Sequence, residues 1–172
     1  VTIDGKSVDW DLSGEMFVYP VRNIRDRYSV KVYSMYVKDN LYLLMKWRDP
    51  SPMVNNVDAK GAPGDGWMAD CMQMRFVTDK GQVHLTSWYG SKSDMSVIHA
   101  ASRDAFSNVQ VLSAPGKTLK DDATGVEMTF VEDADKRGYT QEIKLPWKFL
   151  YNDPAKVKPN EKFTFTGEFY WG

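Results

Sequence analysis

Gly64-Asp-Gly-Trp-Met-Ala-Asp-Cys-Met-Gln-Met-Arg-Phe76 is the stretch of this chain that decides the fold. A glycine-rich loop leads through Trp67 into a segment in which apolar and other side chains alternate. The apolar positions share one parity and the remaining positions share the other: Met72, Met74 and Phe76 against Cys71, Gln73 and Arg75. Because successive side chains of a strand point to opposite faces, the pattern predicts a strand with one face in a core and one face outward.

Strand-like runs separated by turn residues dominate the rest of the sequence. The runs are 28–37, 41–48, 71–78, 82–89, 109–113, 125–131, 139–145 and 163–171. Several short strands at this spacing predict an all-β sandwich or barrel. Short helices are predicted at 146–150 and 102–106, and the stretch 90–105 is otherwise predicted to be irregular.

Composition limits the classes of function open to the chain. Its 172 residues indicate one domain, large enough to bury roughly two-thirds of the surface of the unfolded chain. The formal net charge is -1 and the charges are well mixed, which argues against nucleic-acid binding. No apolar run approaches the roughly 20 residues that span a bilayer. The single cysteine, Cys71, excludes an internal disulfide and reads as a packed thiol.

The run 82–89 adds a second set of side chains to the outward face of the first strand. Three of its residues share one parity: His84, Thr86 and Trp88. Pairing through the Asp-Lys-Gly turn would place them beside Gln73 and Arg75. Planar hydrogen-bonding groups next to aromatic rings suit the hydroxyls and ring faces of a sugar. The alternative interpretation is a solvated sheet face on which the aromatic residues are incidental.

Catalytic and metal-binding signatures are weak. No pair of carboxylates suits a glycosidase, and no Gly-x-Ser-x-Gly nucleophile motif is present. We therefore expect no catalytic residues. Asp65 and Asp70, with Asn55, Asn56 and Asp58 of the long loop before them, offer oxygen ligands for calcium. The same residue types are also ordinary turn formers.

The nine methionines raise the question of haem binding, because Met and His are both axial ligands of haem iron. Met68, Met95 and His99 are predicted to lie in loops near the tryptophan-bearing strand. The chain has no Cys-x-x-Cys-His motif, which excludes covalent attachment of a c-type haem.

Motifs along nearly the whole chain resemble those of family 9 carbohydrate-binding modules and the related DOMON-like domains. The opening, Val1-Thr-Ile-Asp-Gly-Lys-Ser-Val-Asp-Trp10, is similar to the (I/V)DG…DW start of these families. The similarity is strongest at Gly66-Trp-Met-Ala-Asp-Cys-Met-Gln-Met-Arg-Phe76. Further matching segments are Val30-Lys-Val-Tyr33, Asp39-Asn-Leu-Tyr-Leu-Leu44, Trp47-Arg-Asp-Pro50 and Gly138-Tyr-Thr-Gln-Glu-Ile-Lys-Leu-Pro-Trp147.

This resemblance implies an immunoglobulin-like or jelly-roll antiparallel β-sandwich with one or two short helices. In the carbohydrate-binding members, a loop tryptophan before the strand forms one side of an aromatic clamp on a terminal sugar, and Trp67 occupies that position. A family carboxylate that hydrogen-bonds sugar corresponds to Gln73. The candidates for the second side of the clamp are Trp88 and Trp171.

The sequence therefore predicts a non-catalytic domain that binds a polysaccharide or oligosaccharide. The predicted contacts are Trp67, Gln73, Arg75, His84, Trp88 and Trp171. The alternative is a haem b-binding electron-transfer domain or subunit of a periplasmic oxidoreductase, since related DOMON-like domains hold haem b through axial Met and Lys. Trp88-Tyr-Gly-Ser-Lys92 lies roughly where those domains carry their lysine segment.

The resemblance also predicts the setting of the domain. We expect a module of a larger protein, joined to other domains of the same polypeptide such as a glycoside-active enzyme. Such proteins are secreted, periplasmic or attached to the cell surface, so an export signal outside this sequence is expected. No membrane span and no nucleic-acid partner are expected.

Overall fold

The structure is a computed structural model that describes residues 1–101, 109–158, 162 and 164–172. Among these residues, eleven strands form two antiparallel sheets with a shared core, which confirms the predicted all-β sandwich. In chain order the strands are β1 (Met16–Val18), β2 (Ser29–Val37), β3 (Asn40–Arg48), β4 (Cys71–Thr78), β5 (Gly81–Gly90), β6 (Met95–Ala100), β7 (Gln110–Pro115), β8 (Thr118–Lys120), β9 (Glu127–Glu132), β10 (Gly138–Pro146) and β11 (Thr164–Tyr170).

The strands divide into a six-stranded and a five-stranded sheet. The six-stranded sheet has the order β1-β2-β3-β10-β9-β8, and the five-stranded sheet has the order β11-β4-β5-β6-β7. The hairpins β2–β3 and β4–β5 agree with the sequence, where the turn residues Lys38-Asp-Asn40 and Asp79-Lys-Gly81 separate strand-like runs and predict hairpins. In the second hairpin, Gly81 adopts a positive φ of 89°, a conformation that glycine reaches without steric cost.

The inner faces of both sheets supply the core. Met72, Met74 and Phe76 of β4 are all buried, which confirms the parity predicted for this strand. They meet Trp47 of the opposite sheet, whose ring stacks on Tyr139 with centroids 5.2 Å apart. Burying aromatic and methionine side chains of this size contributes about 1.5–3 kcal/mol each, so this interface holds the two sheets together.

Three departures from the predicted elements concern the region beside β5 and the edges of the sheets. The stretch 90–105 is not wholly irregular, because β6 occupies Met95–Ala100 and pairs with both β5 and β7. Strands β1 and β8, each three residues long, also lack a sequence signal. The short helix predicted at 146–150 is confirmed as Trp147–Leu150, whereas that at 102–106 lies outside the described residues.

Short 3₁₀ turns at Arg22–Ile24, Pro63–Met68 and Pro154–Lys156 complete the secondary structure of the described residues. The second of these turns carries Trp67 and lies in the long connection between β3 and β4. Within the described part of the chain, no helix has the length and apolar character needed to cross a membrane.

Candidate functional site

The outer face of the five-stranded sheet collects polar side chains from neighbouring strands. Residues that pair across antiparallel strands lie on the same face, so the strand register fixes the membership of this set. Arg75 of β4 pairs with His84 of β5, and Gln73 pairs with Thr86. This register confirms the shared face that the sequence predicts for the two strands.

Strands β11 and β6 extend this face on either side of the hairpin. Glu168 of β11 lies opposite Gln73, and His99 of β6 lies opposite Thr86. Glu168 is not among the predicted site residues, because its partner strand is distant in the chain and no local pattern identifies that partner. We call this set the polar face: Gln73, Arg75, His84, Thr86, His99 and Glu168.

A hydrogen-bonded array crosses the polar face from β11 to β4. Arg75 Nη1 lies 2.6 Å from Glu168 Oε1, and Arg75 Nη2 donates to Gln73 Oε1 at 3.1 Å. Tyr170 Oη donates to the second oxygen of Glu168 at 3.1 Å. The hydrogen bond from Arg75 is the main reason that the pKa of Glu168 lies below its usual value. The array therefore presents an ionised carboxylate, an amide and an oriented guanidinium in one row.

Two half-buried imidazoles lie beside this array. Burial lowers the pKa of His84, and the positive charge of Arg75 lowers it further. Burial also lowers the pKa of His99, against the opposing effect of Asp65. Both rings are therefore neutral at pH 7, so each offers one hydrogen-bond donor and one acceptor. Among the described residues, buried Nε2 of His84 has no hydrogen-bond partner.

Trp88 shares the outer face but does not reach solvent. It is fully buried, in a cluster with Cys71, Val97 and other apolar residues. The connection 49–70 between β3 and β4 covers this ring, and we call it the covering loop. Its Gly66 packs directly against Trp88, and a Cβ at Gly66 would lie 2.1 Å from the Trp88 indole nitrogen. Asn55 fixes this loop by donating to the carbonyl of Gly66 at 2.7 Å. A buried Trp88 cannot stack on a ligand in this conformation, so its position is that of a core residue.

The other two predicted tryptophans lie in different surroundings. Trp67 is 46% exposed, on the 3₁₀ turn that precedes β4 in the chain. Trp171 instead packs edge-on against Trp47 with ring centroids 5.7 Å apart, and its indole N–H donates to the carbonyl of Arg48 at 3.2 Å. The structure therefore brings Trp67, but not Trp171, to the surface as an available ring.

The two predicted calcium ligands, Asp65 and Asp70, differ in exposure and in hydrogen bonding. Asp65 is exposed, whereas Asp70 is buried and accepts backbone hydrogen bonds from Val54 at 2.8 Å and Gly172 at 2.5 Å. Burial raises the pKa of Asp70 to about 7, and the nearby Asp49 contributes to the rise. Within the described ranges, no three His, Cys, Asp or Glu side chains come together as metal ligands do. Calcium binding by Asp65 and Asp70 stays a prediction.

The candidate haem ligands Met68, Met95 and His99 differ in exposure and in the elements that carry them. Met95 and His99 lie on β6 and not in loops, and Met95 is buried in the cluster around Trp88. Met68 is 59% exposed on the turn that carries Trp67. Cys71 is buried, which raises the pKa of its thiol to about 12, so the thiol is protonated at neutral pH and is a poor nucleophile.

A scan against models of known protein families finds no match for this chain, and a search of curated proteins finds none either. The function must therefore be inferred from the residues themselves and from the order of the sequence motifs.

Proposed function

We propose that this domain binds carbohydrate without catalysing a reaction, through the polar face and the exposed ring of Trp67. The observation that carries the proposal is the row formed by Glu168, Arg75 and Gln73. Its groups are planar, hydrogen-bonded to one another and only partly exposed, with the side chain of Arg75 at 30% and that of Glu168 at 41%. Holding such groups in place before binding reduces the entropy that a ligand must overcome.

The chemistry of the row matches that of a sugar. Vicinal hydroxyls of a pyranose donate to a carboxylate and accept from a guanidinium, and the neutral rings of His84 and His99 add one donor and one acceptor each. Stacking of the apolar sugar face on Trp67 would contribute about 1–3 kcal/mol.

The resemblance to family 9 carbohydrate-binding modules supports this proposal. It assigns the sugar-stacking position to Trp67 and a hydrogen-bonding position to Gln73. Gln73 replaces a carboxylate of the family, and Glu168, its direct neighbour on β11, supplies a carboxylate to the same row. The proposed setting is an exported protein in which this domain acts as a module beside other domains of the same polypeptide.

The decisive test substitutes the exposed ring. Glycan-array screening followed by calorimetric titration of the best glycan should show that Trp67→Ala weakens binding by roughly tenfold or more, because the stacking contact is lost. The matched control is Met68→Ala, which truncates the neighbouring exposed side chain. Both variants should melt within about 2 °C of the parent, since neither residue is in the core. Undiminished affinity of the Trp67→Ala domain would contradict the proposal.

Binding of haem b is the second candidate function, and the observation that favours it is the pair of neutral, half-buried imidazoles on one face. Neutral imidazole nitrogen is a common axial ligand. Haem titration with a visible absorbance scan separates the two candidates. A Soret band that shifts on binding and is lost in His99→Ala would favour haem, whereas an unchanged spectrum of free haem would favour carbohydrate.

A further inference from the structure

Two adjoining clefts lie where the six-stranded sheet ends, away from the polar face. The first has a volume of about 340 Å³ and is lined by Asp26, Arg27, Arg48, Pro50 and Arg137. The second has a volume of about 330 Å³ and is lined by Ser29, Lys31, Lys46, Trp47, Arg48, Asp133 and Thr140. Arg48 stands in the wall of both, so the two clefts are neighbours, and we call them together the groove. We call the first of them the arginine cleft.

The groove is more basic than the protein as a whole. Five of its lining residues are cationic and two are acidic, in a chain with a formal net charge of -1. Clustered charge of one sign in a concave surface raises the local concentration of ions of the opposite sign. The groove therefore favours an anionic ligand over a neutral or cationic one.

Not all of these cations are neutralised by the chain itself. Arg48 lies 3.0 Å from Asp135 and 3.7 Å from Asp133, so its charge is matched and its guanidinium is held in one orientation. Among the described residues, Arg27 and Arg137 have no carboxylate within 4.0 Å. In the part of the chain that the structure describes, the arginine cleft thus has two guanidiniums outside any ion pair, those of Arg27 and Arg137, beside that of Arg48, which is fixed; its acidic lining residue, Asp26, lies 3.9 Å from Arg25.

One of these two unpaired arginines, Arg27, stacks on an aromatic ring. The guanidinium of Arg27 lies over the ring of Tyr28, with its carbon 5.6 Å from the ring centroid. Stacking of this kind restrains the plane of a guanidinium without using its N–H donors. Pro50 adds an apolar patch to the same cleft, which suits a ligand with both an anionic group and a carbon ring.

We propose that the arginine cleft is a second binding site, which takes the carboxylate of an acidic sugar such as a uronic acid. Arg27 and Arg137 would donate hydrogen bonds to the two carboxylate oxygens, and Arg48 would donate to a neighbouring hydroxyl or ring oxygen. A cleft of about 340 Å³ is at the lower end of the range for small-molecule sites and holds one sugar unit. The choice of a sugar, as opposed to another carboxylate, rests on the proposed function; capture of the oxyanion does not.

The test titrates galacturonate, galactose, inorganic phosphate and sulfate into the whole domain, by calorimetry and by amide chemical shifts. Galacturonate should bind and galactose should not displace it, because only the former carries the carboxylate. The double variant Arg27→Gln/Arg137→Gln should weaken galacturonate binding by roughly tenfold or more. Raising salt from about 0.05 M to about 0.5 M should weaken it as well, since these guanidiniums are exposed.

A matched control removes one positive charge at the other end of the sandwich. Lys120→Gln on β8 lowers the net charge in the same sense but should leave galacturonate affinity unchanged. An equal loss in this variant would show that binding follows net charge and would overturn the proposed site. Phosphate or sulfate binding as tightly as galacturonate would overturn the assignment to an acidic sugar.

The same titrations separate failure of this inference from failure of the proposed function. Galacturonate binding should survive in Trp67→Ala, whereas binding of the neutral glycan should be lost there. Neutral-glycan binding that depends on Trp67, with no binding of galacturonate, would overturn the arginine cleft alone. Galacturonate binding that depends on Arg27 and Arg137, with no neutral-glycan binding, would leave the cleft standing and count against the polar face.

Discussion

The two outer faces of the sandwich each carry a glutamate, and the two carboxylates differ in burial and in hydrogen-bond partners. Glu142 of the six-stranded sheet is fully buried. Its oxygens accept hydrogen bonds from three donors of the N-terminal segment: Asp4 N and Gly5 N at 2.8 Å each, and Trp10 Nε1 at 3.1 Å. Glu168 of the five-stranded sheet keeps 41% of its side chain exposed and bonds the side chains of Arg75 and Tyr170.

The two carboxylates differ because the chain covers one outer face of the sandwich more fully than the other. On the six-stranded sheet, Trp10 is buried against Tyr42 and Leu44, so the N-terminal segment covers this face as a folded element does. On the five-stranded sheet, the loop that ends at Asp70 covers Trp88, and Gly64 of the same loop lies against the ring of His99. The carboxylate of Glu168 beyond it retains acceptor capacity for a ligand, whereas that of Glu142 is saturated.

The largest effect on stability should follow from Glu142→Gln. An amide in place of the carboxylate turns its NH2 group toward at least one of the three donors, so buried N–H groups lose their acceptor. Charge-assisted and buried hydrogen bonds of this kind make the expected loss of unfolding free energy about 2–4 kcal/mol. Urea denaturation measures it. The control is Glu132→Gln at the exposed C-terminal end of β9, which should change stability by less than about 0.5 kcal/mol.

Equal losses in these two variants would show that the N-terminal segment does not depend on Glu142. Carbohydrate affinity should be the same in both variants as in the parent, because Glu142 lies on the face opposite the proposed site.

An intermediate effect should come from Asp70, a buried carboxylate at the end of the covering loop that has the carboxylate of Asp49 close by. Burial raises its pKa to about 7 from the usual 3.8, and the charge of Asp49 adds to the rise. Between about pH 4 and pH 7 the carboxyl of Asp70 is therefore protonated in the folded protein and ionised in the unfolded chain. This contribution to stability is complete below about pH 4 and is lost as the pH rises through about 7.

Asp49→Asn should prevent much of the fall in stability that follows ionisation of Asp70 as the pH rises. One oxygen of Asp49 accepts a hydrogen bond from Ser51 N at 2.8 Å, whereas the other is buried without a partner among the described residues. An amide NH2 at the second position can donate to ionised Asp70. We expect the variant to gain about 1–2 kcal/mol over the parent at about pH 8 and much less at about pH 5.

The measurement is denaturation of parent and variant across this range, with the difference between them as the readout. The difference is needed because the lowered pKa values of His84 and His99 act in the opposite sense, stabilising the fold as the pH rises. The control Asp122→Asn, at an exposed position, should show no pH-dependent difference. A constant gain for Asp49→Asn at every pH would contradict the effect of the Asp49 charge on the pKa of Asp70.

Local patterns account for what the sequence predicts correctly. Alternation over 71–78 and 82–89 together with a short turn fixes both the hairpin and the residues on each face, since side chains alternate with period two. The Asp-Gly and Trp10 of the opening motif also have a structural role, because their donors converge on Glu142. These features depend on residues that lie close in sequence or on motifs of fixed order.

Long-range packing accounts for what the sequence does not predict. Parity correctly puts Trp88 on the outer face, but only the fold of the loop at Asn55 and Gly66 determines that this ring is covered. Glu168 joins the polar face through the pairing of β11 with β4, which no local pattern encodes. Strand β6 is short and follows a polar turn, so its pairing with β5 and β7, and not its composition, makes it a strand.

The smallest effect on stability and the sharpest contrast with Glu142 should come from Glu168→Gln. An exposed ion pair contributes roughly 0–1 kcal/mol, so the loss of the contact with Arg75 should change the unfolding free energy by about 0.5 kcal/mol or less. The same substitution should weaken glycan binding by roughly tenfold, because the row loses its charged acceptor while Arg75 loses the partner that orients it. Glu142→Gln should do the reverse, lowering stability and sparing affinity. If Glu168→Gln instead lowers stability as much as Glu142→Gln and leaves binding intact, the carboxylates of both faces are structural and the polar face is not the ligand site.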